Sequence, residues 1–149
     1  MPILPKLPIK PILPKLPILP KLPIKPILLA AFAAFAACSS PTPEELAALA
    51  AEGYYRHLVQ GDYEHFLEGK AGSDSLPADY REQLLTGYRQ FMAQQERAHG
   101  GISDVRISSA RQDTLTDYTT VLLVLCFSDS TDEEIVVPMS CHDGRWRMR

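Results

Sequence analysis

The sequence predicts an α+β domain in which about three N-terminal helices pack on one face of a curved, four-stranded antiparallel meander, cone-like in shape. Three observations carry that expectation. Apolar residues recur at helical spacing as far as His99, they alternate with a period of two after Gly101, and turn signals cut the second half into four segments. Helices first and an antiparallel sheet last place the helices together on a single face.

The first helix has a complete start signal. Thr42 caps, Pro43 suits the first helical position and Glu45 closes a capping box. Leu46, Leu49, Ala50, Tyr54, His57 and Leu58 then repeat at helical spacing up to Gly61. Asp62 caps a short second helix over residues 63–68. Pro77 opens a long third one, whose apolar stripe runs through Tyr80, Leu84, Tyr88 and Phe91 with Leu85 and Met92 beside it, and Gly100-Gly101 ends it.

Four strands are expected over residues 105–113, 117–127, 133–142 and 145–149, the last two joined by a type I′ turn at Asp143-Gly144. Pairing Asp113 with Asp117 sets Ile107 opposite Leu123. A five-residue tip over residues 128–132 pairs Phe127 with Glu133, and so Leu123 with Val137. The last turn pairs Cys141 with Trp146. All three hairpins then agree on one apolar face: Val105, Ile107, Val121, Leu123, Leu125, Phe127, Ile135, Val137, Met139, Trp146 and Met148. A one-residue slip would scatter that set over both faces. Arg145, Arg147 and Arg149 fall on the opposite face and read as a solvated edge strand blunted by charge. Leu122, Val124, Cys126 and Val136 leave an apolar strip there that no helix remains to cover, so a homodimer through the outer sheet face is expected. Cys126 and Cys141 point to opposite faces at well-separated positions, so both are expected to be free thiols.

The chain ahead of this domain has another character. Residues 1–37 hold nine prolines, five lysines and no acidic residue. Proline recurs at every third position from Pro2 to Pro26, which forbids helix and suits an extended polyproline rod. Residues 27–37 are an apolar run too short to span a bilayer but suited to a signal-peptide core. Phe35-Ala36-Ala37-Cys38 resembles the lipobox of bacterial lipoproteins, with Phe35 in place of the usual leucine. It implies a lipidated Cys38, a tether over residues 38–43 and a domain over residues 44–149, held at the cell envelope, with the outer membrane as the expected address because Ser39 is not aspartate.

Without the leader, 10 Lys+Arg stand against 18 Asp+Glu, a net charge of −8. That surface repels phosphate backbones and argues against nucleic acid as a partner.

The domain as a whole resembles the nuclear transport factor 2-like, or cystatin-like, superfamily, and more narrowly small bacterial lipoproteins of unknown function with a lumazine-binding-like domain. The resemblance rests on Tyr54-Tyr55 followed by Gly61-Asp62-Tyr63-Glu64, on Leu76-Pro77, on His99-Gly100-Gly101-Ile102, and on the closing Gly144-Arg145-Trp146-Arg147-Met148. It covers residues 44–149 and speaks for fold more than for function, because the superfamily holds enzymes, transport adaptors and domains without known activity. Enzymes of that superfamily resemble one another in working inside the cone, with Asp, His and Tyr acting on a ring or carbonyl substrate. Tyr54, Tyr55, His57, Tyr63, Tyr88, Phe91 and Trp146 are the candidate cavity lining, with Arg111 at the open end as the basic candidate of the sheet's inner face.

No Asp or His falls on that inner face, so no catalytic residue is assigned. His57, His65, His99 and His142 share no metal-ligand spacing along the chain and read as solvated or capping residues; neither metal nor cofactor is expected. The acidic tip around Asp129, Asp132, Glu133 and Glu134 reads as a solvated turn. The reading that follows is an envelope-tethered, non-enzymatic domain that binds a small ligand or a protein. The alternative is an isomerase or dehydratase of the cone type, acting on a small hydrophobic ring.

Overall fold

A computed structural model describes residues 39–149; the leader, its apolar core and Cys38, with every expectation placed on them, lie outside the described residues. Helix α1 (Pro43–Val59) starts on the expected capping box. The Thr42 hydroxyl accepts the Glu45 N–H at 3.2 Å and the Glu45 carboxylate accepts the Thr42 N–H at 2.9 Å. Its buried face is Ala47, Ala48, Ala51 and Leu58, small enough for the helix to lie close against the sheet. Asp62 caps α2 (Tyr63–Glu68), which buries Phe66 and Leu67. After a 3₁₀ turn at Ser73–Ser75, α3 (Ala78–His99) runs to Gly100, whose φ of 72° ends the helix in the left-handed region that glycine enters without strain.

The strands β1 (Ile102–Gln112), β2 (Thr119–Phe127), β3 (Asp132–His142) and β4 (Arg145–Met148) form one antiparallel sheet in sequence order. Val105, Val121, Leu123, Leu125, Phe127, Val137, Met139 and Met148 are buried on the inner face, against α1 and Phe66. The expected face is therefore the core face, except that Ile107, next to the irregularity in β1, is 37% exposed, and the three helices lie on that side. Asp143 and Gly144 have φ of 50° and 73°, the paired positive values of a type I′ turn, and Cys141 pairs with Trp146. Cys126 and Cys141 are free.

Four details differ from the sequence expectation, each for a physical reason. The β2–β3 tip is shorter than five residues: the Phe127 N–H donates to the Thr131 carbonyl at 2.9 Å, so three residues make the turn and Leu123 pairs with Ile135 rather than Val137. Ser130 takes the left-handed position at φ 70°, which a glycine would have advertised. The slip is two residues, so every side chain keeps its face.

A β-bulge lies between Ile107 and Ser109, where the β1–β2 register shifts. One extra residue reverses the alternation beyond it. Ala110 pairs with Val121 on the inner side, while Arg111 pairs with Thr120 and turns outward, off the cone face where it was expected.

The third difference is in α3. Its buried residue is Leu85, with Tyr88 and Met92 packed on the core, whereas Tyr80 and Phe91 are 47% and 39% exposed. Helix α1 already occupies the inner face of the sheet. Helix α3 therefore packs against α2 and the start of β1, and its contact line is rotated away from the expected stripe.

Fourth, β4 is not a bare edge. Met148 donates its N–H to the Gly69 carbonyl at 2.8 Å and accepts the Ala71 N–H at 2.7 Å, so the segment after α2 lies along its open side. Arg147, expected in solvent, is 16% exposed and binds the Glu68 carbonyl and the Asp74 carboxylate.

Candidate functional site

A cleft of about 450 Å³ opens where the C-terminal half of α1, helix α2 and the β3–β4 hairpin meet. Its walls include Tyr54 and His57 from α1, His65 and Glu68 from α2, and Arg145 and Trp146 from β4. These elements converge because α1 crosses the inner face of the sheet and the chain then turns back at Gly61, whose φ of 79° permits the reversal. Asp62 donates its N–H to the His57 carbonyl at 2.8 Å, tying the end of α1 to the start of α2.

Tyr54 anchors the aromatic wall. Its hydroxyl donates to the Trp146 carbonyl at 2.9 Å, across 92 positions of sequence. Its ring lies flat against Gly69, where an added Cβ would stand 2.5 Å from ring carbons. Beside it, Trp146 is half-buried and Arg145 exposed, and the guanidinium of Arg145 makes no ion pair among the described residues.

At the mouth of the cleft, three polar side chains meet. The Asp62 carboxylate divides its work: Oδ1 accepts the backbone N–H of His65 and caps α2, while Oδ2 faces Nδ1 of His65 at 2.7 Å and Nδ1 of His57 at 3.2 Å. The two imidazoles stack, centroids 5.1 Å apart and planes at 25°. The hydrogen bond from His65 holds the Asp62 carboxyl below its usual value, and the same bond holds the His65 imidazole above its own.

Of the candidate cavity residues, the structure brings Tyr54, His57 and Trp146 to this cleft. Tyr55 and Tyr88 instead sandwich Phe66, both edge-on, at 5.3 Å and 4.9 Å between centroids, filling the space under the helices. Burial pushes both of these phenols up, and the Tyr88 hydroxyl is buried without a hydrogen-bond partner. Tyr63 packs half-buried at the edge of the core, and Phe91 stands out on α3. Arg111 lines a separate hollow on the outer face with Ser109, Thr120 and Leu122.

The residues that sequence reasoning missed are the histidines as a group. His57 and His65 lie on different helices, and only the Gly61-Asp62 reversal brings them together. The legible signal was a capping aspartate five residues after one histidine and three before the other.

No protein-family model matches the chain, and no curated protein matches it. Among solved structures, the chain is similar to a Campylobacter jejuni protein described as a nuclear transport factor 2-like transpeptidase, with a TM-score of 0.53 and 15% identity over 66% of this chain and 92% of that one. Together with three helices packed on a four-stranded antiparallel meander, that likeness gives the domain a nuclear transport factor 2-like α+β fold.

Proposed function

We propose that this chain is a cell-envelope lipoprotein, anchored through Cys38, whose domain binds a small ligand in the cleft between α1, α2 and β4 rather than turning it over. The observation that carries the binding reading is the cleft itself: an aromatic wall of Tyr54 and Trp146, with the guanidinium of Arg145, which makes no ion pair among the described residues, also in the lining. This chemistry suits a flat apolar ring bearing an acidic group, stacked on one side and charge-paired on the other.

Two features support binding over catalysis. The buried polar residues among those described are Ser73, Thr119 and Ser140, none of them an acid or base. The Tyr54 hydroxyl is already committed to the Trp146 carbonyl. The anchor reading rests on the lipobox-like Phe35-Ala36-Ala37-Cys38, the apolar run before it and the separation of residues 40–149 into their own compact unit. A second copy paired on the outer sheet face belongs to the same reading, supported by the exposure of Val136.

Mass spectrometry of the folded protein, purified from its own source, tests the cleft. The expected result is a small molecule that co-purifies with the natural chain and is lost from Trp146→Ala and Arg145→Ala. Retention by both variants contradicts the assignment, as does conversion of the bound molecule to a product.

A further inference from the structure

We propose that His57, Asp62 and His65 form a binding site for one divalent first-row transition-metal ion, of which Zn²⁺ is the working probe, at the mouth of the cleft. One ring nitrogen from each imidazole and a carboxylate oxygen of Asp62 lie within 4.8 Å of one another. Two neutral imidazoles and a carboxylate are the ligand types that zinc and its neighbours prefer, and three protein ligands leave room for a water or a ligand atom.

The geometry goes beyond a chance meeting of polar side chains. The Asp62 carboxylate is oriented by capping, because Oδ1 is held by the His65 N–H, and this presents Oδ2 to both rings. Both imidazoles aim Nδ1 at that one oxygen while their faces stack. A single divalent ion among the three residues would give each of their donor atoms a shared partner.

Zinc–nitrogen and zinc–oxygen bonds of about 2.1 Å in a tetrahedron separate ligand atoms by roughly 3.4 Å. The 3.2 Å contact of His57 already matches this, and the 2.7 Å contact of His65 needs to open by a fraction of an ångström. His65 has an exposed side chain that is free to make that adjustment. His57 and His65 also line the cleft, so the site adjoins it. The ion adds a Lewis-acidic point beside the aromatic wall, a feature independent of which molecule the cleft holds.

Calorimetric titration of the full chain with Zn²⁺ tests the site, with Co²⁺ absorption as a second readout. The expected result is one Zn²⁺ per chain, with affinity lowered by about tenfold or more in His57→Ala, His65→Ala and Asp62→Asn. Asparagine caps a helix as well as aspartate does, so Asp62→Asn removes the charge and keeps the fold, which circular dichroism verifies. Substituting His142, which lies in the last hairpin, leaves the affinity unchanged. The Co²⁺ complex shows visible bands without the sulfur charge-transfer band that Cys126 or Cys141 would give. Absence of binding, affinity untouched by all three substitutions, or a sulfur band overturns the proposal. Each outcome is separate from the co-purification test, because the three ligands are complete without a molecule in the cleft.

Discussion

Gly69 is the residue on which the cleft depends most sharply. Its backbone φ is ordinary for a helix end; what excludes a side chain is the Tyr54 ring, whose carbons would stand 2.5 Å from a Cβ. Gly69→Ala must push the ring aside and break its hydrogen bond to Trp146, a cost of about 1–3 kcal/mol for overpacking. Urea denaturation should show that loss, together with weakened ligand retention in the cleft. A variant as stable as the natural chain would mean that Tyr54 does not rest there. The same residue shows what a sequence leaves unwritten. Tyr54 was legible as a helix residue facing the core, but its partner 92 positions away is fixed by how α1 crosses the sheet, and no local pattern records a crossing angle. Arg111 was misplaced for a related reason. A bulge needs only one extra residue, and Ser108 and Ser109 carry no glycine or proline to mark it.

Among the elements, the helix starts and the last hairpin were the most legible, because capping and type I′ turns depend on residues within a few positions of one another. The β2–β3 hairpin was half legible. Its strands and faces follow from alternation, but its turn is set by Ser130 at positive φ and by Asp129, whose Oδ1 accepts both the N–H and the hydroxyl of Thr131 at 3.0 Å and 2.6 Å. The Thr131 hydroxyl, then His99 at 2.8 Å, hold the Asp129 carboxyl down at about 2. A carboxyl whose value is lower in the folded chain adds stability that is complete above its ordinary 3.8 and disappears as pH falls toward about 2. Asp129→Asn should therefore flatten the pH dependence of stability over that window, measured as the denaturant midpoint. An unchanged slope would show that the tip does not hold Asp129 as described. His99 also fastens the end of α3 to this tip, aided by the Asp129 N–H on the His99 carbonyl at 3.1 Å.

At the scale of the whole domain, the outer sheet face is the main surface left without a partner among the described residues. Val136 is 64% exposed beside the half-buried Leu122, while Arg106 bonds the Cys126 sulfur and Asp132, and Ser108 bonds Glu134. An apolar centre with a paired polar rim is the composition of a modest interface. Sedimentation should show a dimer that dissociates on dilution and is abolished by Val136→Glu; a concentration-independent monomer contradicts the pairing. The fold class, the order of the strands and the core face were readable at this scale because hydrophobic periodicity is a global constraint. The cleft was not, since it arises where three elements meet and its histidines gain meaning only from that meeting.

The cleft is also where the functional reading is most directly tested. Crystals of residues 39–149, grown from protein purified from its own source, should show density between the Tyr54 and Trp146 side chains with an acidic group against Arg145. Density confined to the outer sheet face, with only water between those two rings, would contradict it.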